Sequence, residues 1–307
     1  KQWTVARDLY QQCVAEDPRY APAWARLGRM HHVMAKFLET GTNEGLGLAE
    51  AAFKQALDIQ PKYHFARLRL GRVYQSQLGD TKQALQQYDT ILADPEDILN
   101  QSESQEWRDE FDAIPFVAGV RFRRAQAAVQ AGQHDKALKD IKWLTKRYPD
   151  QPGPYATLAN SLSEQKKYKN AIEVAEKVLS YCDKHPYSFI DKCYFGMRIK
   201  IKSLFALDRF SESIDVGRTL ANTAHHKTID NADSFFHTGL ALKRVGKLDE
   251  AREFFIRSMD ADPWFVRLVN QKIIHAGFYE GQETDGISEK TFIGLEACMI
   301  DDDCLKV

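Results

Sequence analysis

The stretch NADSFFHTGLALKRVGKLDEAREFFIRSMDADP, Asn231 to Pro263, decides how this chain folds. Phe235, Gly239 and Leu242 lie on one face of a helix, because residues three or four apart share a face. A glycine and a lysine interrupt this pattern, and a proline ends the stretch. The stretch is therefore a hairpin of two amphipathic helices with a period of about 34 residues. The apolar face of its second helix comprises Leu248, Ala251, Phe255 and Ser258.

The spacing of this second helix recurs along the chain. An alanine is followed after four residues by a larger apolar residue, after three more by an apolar or small residue, and after five more by proline. Each hairpin has an apolar face that it cannot bury alone, so neighbouring hairpins must stack. The recurring sets are Ala6, Tyr10, Cys13 and Pro18; Ala49, Phe53, Ala56 and Pro61; and Ala137, Ile141, Leu144 and Pro149.

These residues resemble the tetratricopeptide repeat (TPR), whose pattern is W-x2-L-G-x2-Y, then A-x3-F-x2-A, then proline. The resemblance is strongest at Trp24–Pro61 and Asn231–Pro263. It implies an all-α fold: a right-handed superhelix (α-solenoid) of about six and a half hairpins, closed by C-terminal capping helices. The expected repeats are 1–20 (second helix only), 21–63, 64–96, 115–151, 152–185, 186–225 and 231–263.

One segment between the repeats carries little repeat pattern. Asp94–Pro115 is strongly acidic, and it is either a solvated connector or a segment docked through Trp107 and Phe111. A second irregular segment, Leu38–Leu46, is rich in turn formers and predicts a long loop. The expected division is 1–96 for the N-terminal repeats, 97–114 for the acidic connector, 115–263 for the C-terminal repeats and 264–307 for the tail.

The tail predicts a helix over Trp264–His275 and a second helix with Ser288 as its N-cap. Two interpretations stay open. The helices could simply cap the last repeat, as repeat arrays require for solubility. Alternatively, Val266, Gly277-Phe278-Tyr279-Glu280-Gly281 and Asp285-Gly286 resemble a truncated peptidoglycan-binding-like module, which would imply contact with peptidoglycan.

Composition excludes several classes of protein. The chain has 307 residues and a net charge of −1, which gives no reason to expect nucleic acid as a partner. No apolar run approaches the ~18 to 20 residues of a membrane span. The first residues form no signal-peptide pattern. They begin inside a helix pattern, so we expect this chain to be a fragment of a longer protein.

The five cysteines are too scattered for a disulfide framework. Cys13, Cys182 and Cys193 are expected to pack as small hydrophobic residues. Cys298 and Cys304 are either free thiols or a local disulfide, and a disulfide would place the protein in an oxidising compartment. The compartment itself stays open between a bacterial periplasm and the cytoplasm.

No catalytic motif is present in the sequence. Glycine-rich phosphate loops, the nucleophile elbow and the paired histidine motif of zinc proteases are all missing. The adjacent pairs His31-His32 and His225-His226 are poor chelates, because neighbouring residues on a helix point about 100° apart. The sequence therefore predicts a protein that is not an enzyme, with no cofactor and no metal.

The remaining candidate is a binding groove. In TPR proteins, residues one turn apart on each first helix line the concave face, and the matching residues here are mostly basic. They could be good helix formers on a solvated face, or arginine forks that pair with carboxylates. The lysine and asparagine clamp that some TPR proteins use is not matched in full. The predicted groove residues are Arg26, Arg29, Arg69, Arg72, Arg123, Gln126, Asn160, Arg198, Lys202 and Lys243.

These observations favour a non-catalytic scaffold that binds a protein or peptide segment in a concave, basic groove. The expected partner segment is acidic or ends in a free carboxylate. Two alternatives are kept: a bacterial cell-envelope assembly factor that touches peptidoglycan, and the regulatory arm of a larger signalling enzyme.

Overall fold

A computed structural model describes residues 2–37, 43–76, 78–96, 115–184, 190–222, 229–278, 287–301 and 303–305. Within these ranges the chain forms fifteen α-helices and one 3-10 turn, and no strand. The chain divides into two compact units, Lys1–Pro149 and Asp150–Val307. That boundary falls inside the predicted C-terminal repeats, 115–263, and the connector predicted at 97–114 lies outside the described residues. The predicted division into domains therefore stays a prediction.

The first unit holds one single helix and three helical hairpins. Each first helix packs on the second helix of its own hairpin. The predicted loop at Leu38–Leu46 ends earlier than expected, because the helix after it already begins at Asn43. The helices are α1 (Gln2–Glu16), α2 (Ala21–Phe37), α3 (Asn43–Ile59), α4 (His64–Ser76), α5 (Thr81–Leu92), α6 (Phe116–Gln130) and α7 (His134–Arg147).

The hairpins of the first unit close by pairing a glycine with an aromatic ring. Phe53 on α3 and Tyr88 on α5 are fully buried. A Cβ atom at Gly28 would lie 3.0 Å from the Phe53 ring, and one at Gly71 would lie 2.6 Å from Tyr88 Cε1. The missing side chains therefore let the rings pack directly on the first helices. This pairing confirms the predicted phase of the repeat.

A buried ion cluster joins three helices of the first unit. The Asp140 carboxylate on α7 is fully buried, and Arg121 and Arg124 from α6 donate to it at 2.7–2.9 Å. Arg124 also donates to Asp89 on α5, at 2.9 Å. Removing one partner of such a cluster would leave a buried charge uncompensated, so these arginines hold the fold together.

The second unit holds three more hairpins and two terminal helices. The count of six complete hairpins and one single second helix agrees with the prediction. The helices are α8 (Pro152–Glu164), α9 (Tyr168–Lys184), α10 (Ile190–Phe205), α11 (Phe210–Ala221), α12 (Ala232–Arg244), α13 (Leu248–Ala261), α14 (Pro263–His275) and α15 (Glu289–Ile300), with a 3-10 turn at Ile229–Asn231.

The Asn231–Pro263 hairpin has the packing that its sequence predicts. Phe235, Leu242 and Phe255 are almost completely buried. A Cβ atom at Gly239 would lie 3.0 Å from the Phe255 ring, so the small residue admits the large one. The ring of Phe255 also meets the ring of Phe236 at 5.4 Å between centroids, in the edge-to-face arrangement that aromatic pairs favour.

The two terminal helices cap the last hairpin. Phe265 and Ile273 of α14 and Leu295 of α15 belong to the same apolar core as α12 and α13. Ser288 is the N-cap of α15, as predicted: its hydroxyl accepts from the N–H of Thr291 at 3.2 Å. Ile300, the last residue of α15, is apolar and exposed.

The structure corrects the expectation for two cysteines. Cys182 and Cys193 do not pack as separate hydrophobic residues, because their sulfurs are joined in a disulfide between α9 and α10. Their Cα atoms are 5.9 Å apart, well within the range that a disulfide can bridge. A second disulfide joins Cys298 and Cys304, and Cys13 is the free cysteine.

Candidate functional site

Three successive first helices of the first unit each contribute one arginine to a common face. In the stack, α2 lies beside α4 and α4 lies beside α6. The residues Arg29, Arg72 and Arg123, one from each helix, are all half-buried. We call these three residues the arginine face. All three were predicted from the sequence as groove residues.

The charges of the arginine face act on one another. Burial, together with the positive charges of Arg123 and Arg29, lowers the pKa of Arg72 to about 10. Burial also lowers the pKa of Arg123, although the Tyr88 hydroxyl opposes this shift. The Arg72 guanidinium stays charged at neutral pH, because its pKa remains well above 7. The face therefore concentrates positive charge in a partly desolvated place, where an anion would be stabilised.

Tyr88 and three glutamines support the arginine face. The buried hydroxyl of Tyr88 donates to Gln75 Oε1 at 3.0 Å, and Gln75 in turn donates to Gln130 at 3.0 Å. Arg123 Nη1 donates to Gln126 Oε1 at 3.2 Å, so the predicted residue Gln126 orients an arginine of the face. Of these amides, Gln126 contacts the arginine face directly, whereas Gln75 and Gln130 fix the position of the Tyr88 hydroxyl.

Two other predicted groove residues of the first unit make contacts of a different kind. Arg26 is exposed, and its guanidinium donates to the Tyr10 hydroxyl at 3.2 Å, so its place in the groove stays a prediction. Arg69 is buried, with its guanidinium 4.9 Å from the centre of the Phe65 ring. Arg69 therefore packs inside the repeat and does not line an open groove, which corrects the prediction. Helical spacing selected Arg69, but spacing alone does not show how deeply a side chain is buried.

The second unit has a pocket on its first helices, with a volume of about 300 Å³. Three predicted residues line it: Asn160 on α8 and Arg198 and Lys202 on α10. Three carboxylates that the sequence analysis missed also line it, and they are Glu164, Asp230 and Asp233.

The pocket holds charges of both signs. Arg198 Nη1 lies 3.7 Å from a carboxylate oxygen of Asp230 and donates to the Asp230 backbone oxygen at 3.0 Å, and the Asn160 amide donates to Glu164 at 3.0 Å. Among the residues that line this pocket, carboxylates accompany the basic side chains, which corrects the prediction of a uniformly basic strip there.

Lys243 does not contribute to an open groove. Its ammonium donates to the backbone oxygens of Asp301 and Cys304, at 2.5 and 2.6 Å. The prediction placed Lys243 on the concave face from its position on a first helix. This placement is wrong, because residues beyond α15 fold back over Lys243 and bind its ammonium.

Comparison with known proteins agrees with the helical hairpins. Family models described as tetratricopeptide repeat match residues 65–96, which span α4 and α5, and residues 122–188, which span most of α6 through α9. The chain therefore contains tetratricopeptide repeats over these two stretches. No curated protein matches the chain.

Solved structures with the same fold include several TPR proteins and assemblies. A tetratricopeptide repeat protein from Parabacteroides merdae has a TM-score of 0.61 at 12% identity, and 97% of this chain aligns with 93% of that one. PilW, a type IV pilus biogenesis factor, has a TM-score of 0.54 at 17% identity, with coverages of 71% and 84%. The APC/C hetero-tetramer Cut9–Hcn1 has a TM-score of 0.62 at 13% identity, with coverages of 86% and 43%. At these identities the likeness concerns the fold alone.

Among the residues that the structure describes, no group of His, Cys, Asp and Glu side chains could hold a metal ion. In the same parts of the TPR chain, no helix combines the length and the apolar character needed to cross a bilayer. The candidate site of this TPR protein is therefore the arginine face, with the mixed-charge pocket of the second unit as a separate feature.

Proposed function

We propose that this TPR protein is a non-catalytic scaffold whose first unit binds an acidic or carboxylate-ended protein segment on the arginine face. The observation that carries the proposal is the meeting of Arg29, Arg72 and Arg123 on one face of three stacked first helices. Arg121 and Arg124, which neighbour Arg123 on α6, pair with the buried Asp140 carboxylate and have a structural role in the fold.

The physical basis is a preformed anion site. A carboxylate can accept two parallel N–H bonds from one guanidinium, and each charge-assisted bond contributes ~1.5 to 3 kcal/mol. A bound anion also offsets the mutual repulsion that lowers the pKa of Arg72. Because the helices are already stacked, most of the conformational entropy lost on binding is lost by the partner segment.

An array of synthetic peptides tests this function directly. The array contains acidic, neutral and basic sequences, each with a free and an amidated C-terminus. We expect the protein to select acidic or free-carboxylate members. Arg72→Glu should weaken binding of a selected peptide by roughly 10- to 150-fold, the equivalent of one lost charge-assisted contact. Arg72→Met, which adds no repulsive charge, should weaken it less.

The matched control is Lys139→Glu. Lys139 is exposed on the second helix α7, so this variant makes the same change in net charge on another surface. It should bind like the parent protein. Equal binding by Arg72→Glu and the parent, with both folded by circular dichroism, would contradict the proposal.

A second candidate function follows from the disulfides. Cys182–Cys193 and Cys298–Cys304 are both bonded, and disulfides persist in oxidising compartments. This favours the alternative of a cell-envelope factor. Two parts of the peptidoglycan-like pattern, Tyr279-Glu280-Gly281 and Asp285-Gly286, lie outside the described residues. Co-sedimentation with purified peptidoglycan tests this alternative, and a protein that stays in the supernatant contradicts it.

A further inference from the structure

The last described residues form a compact turn after α15. Cys304 is bonded to Cys298, six residues earlier, and closes the turn covalently. Inside it, the Asp301 carboxylate accepts the backbone N–H groups of Asp303 and Cys304, each at 2.8 Å. We call the described residues Asp301, Asp303, Cys304 and Leu305 the tail turn.

The tail turn holds a lysine that is about sixty residues away in sequence. The ammonium of Lys243, near the end of α12, donates to the carbonyl oxygens of Asp301 and Cys304 at 2.5 and 2.6 Å. Both acceptors belong to the turn that the disulfide closes. The carbonyls point at one cation only while the turn keeps its shape, since hydrogen bonds weaken steeply with misalignment.

The turn needs support to keep this shape. Leu305 adopts a left-handed backbone conformation, with φ of 62°, which is unfavourable for a residue with a side chain. It persists because the Leu305 side chain is buried in the apolar core, where Cys298 and Cys304 also lie. The disulfide is the one covalent link among these supports, and cutting it gives the chain end much more freedom.

We propose that the Cys298–Cys304 disulfide is a redox latch that keeps the tail turn closed over Lys243. A dithiol reductant opens it by supplying two electrons and two protons. The sulfur–sulfur bond breaks, both cysteines become thiols, and the reductant becomes a disulfide. Both cysteines lie in the apolar core, so the reductant reaches their sulfurs when the chain end opens locally.

Opening the latch releases Lys243 from the tail turn. Lys243 lies on the first helix of the last hairpin, the kind of helix that carries the arginine face in the first unit. Reduction therefore makes the Lys243 ammonium of the second unit more accessible. The latch does not depend on the proposed peptide binding, because it rests on different residues.

Amine labelling with an acetyl N-hydroxysuccinimide ester, read by peptide mass spectrometry, tests the latch. Treating the whole protein with dithiothreitol should raise the labelling rate of Lys243 at least about tenfold, equivalent to ~1.4 kcal/mol in the opening equilibrium. Hydrogen exchange of the Asp303 and Cys304 amides should accelerate in parallel. The exposed Lys247, on the adjacent turn, serves as an internal reference and should not change.

Two cysteine variants assign the effect to one disulfide. Cys298→Ser/Cys304→Ser should label Lys243 fast without reductant. Cys182→Ser/Cys193→Ser should label it slowly until reductant is added. If the first variant fails to fold, the reduced parent protein carries the test alone. Unchanged Lys243 labelling after both Cys298 and Cys304 are reduced would overturn the proposal. Equally faster hydrogen exchange throughout α12 and α13 would overturn it too, because the whole hairpin would then be opening.

Discussion

Replacing Gly71 by alanine should destabilise the protein, although alanine is the better helix former. Gly71 lies on α4, and a Cβ atom there would sit 2.6 Å from Tyr88 Cε1. The ring cannot retreat easily, because Tyr88 is fully buried and its hydroxyl donates to Gln75 at 3.0 Å. Overpacking costs ~1 to 3 kcal/mol, whereas the gain in helix propensity is roughly 1 kcal/mol. We expect a net loss of about 1 kcal/mol in the free energy of unfolding.

A double-mutant cycle separates the clash with Tyr88 from the gain in helix propensity. Tyr88→Leu alone should destabilise the protein, since it leaves a cavity. In that background Gly71→Ala should become stabilising by roughly 0.5 to 1 kcal/mol, because the clash is gone and the propensity gain remains. Urea unfolding followed by circular dichroism measures all four proteins. A Gly71→Ala change that stabilises in both backgrounds would show that the ring does not press on Gly71.

Three further predictions concern the core, the pH dependence and the cysteines. Phe255→Ala should cost ~3 to 5 kcal/mol in urea unfolding, as buried aromatics do, whereas Ile300→Ala at the exposed end of α15 should change little. Burial lowers the pKa of His64 below its ordinary value of 6.5, although the hydrogen bond with Asp94 opposes this shift. The folded state then binds fewer protons than the unfolded state, so the free energy of unfolding should fall as the pH drops from 6.5 towards the folded-state pKa. In thermal melts, His64→Gln should make the melting temperature depend less on pH over this range. Thiol titration in denaturant without reductant should find one reactive thiol, Cys13, and a count of five would remove both disulfides.

The repeat architecture was predictable because each hairpin buries apolar residues at the same positions, and these positions recur at a regular spacing in the sequence. The alanine–aromatic spacing of the second helices marks the residues that become buried, such as Phe53 and Phe255. The glycine that faces each ring, such as Gly28 for Phe53, lies in the first helix of the same hairpin. Periodicity of this kind survives even when sequences diverge, since each hairpin must bury the same face.

The site was predictable only in part, because periodicity does not say which charges meet. Arg72 and Arg123 were selected together with Arg69, but only the structure shows that Arg69 packs on Phe65. The carboxylates around Arg198 could not be foreseen either, since Asp230 comes from a 3-10 turn in another hairpin. Contacts between distant residues depend on the stacking of several hairpins, and one hairpin's pattern carries no information about them.

The hold of the tail turn on Lys243 was missed for the same reason. Asp301 lies far from α12 in sequence, and its contact to Lys243 uses a backbone oxygen, which any residue type could supply. The disulfide between Cys182 and Cys193 was also missed, because the two cysteines belong to different helices. Only the Cys298 and Cys304 pair, six residues apart, left a hint in the sequence.

Arginine labelling in the presence of a selected acidic peptide tests the central claim most directly. Phenylglyoxal modifies accessible guanidinium groups, and mass spectrometry reports each arginine separately. A bound peptide should slow the modification of Arg29, Arg72 and Arg123, and the protection should fade with added salt, because salt screens exposed charges. Arg209, exposed in the second unit, should react equally with and without peptide. Protection that appears only outside the arginine face, or none at saturating peptide, would contradict the account.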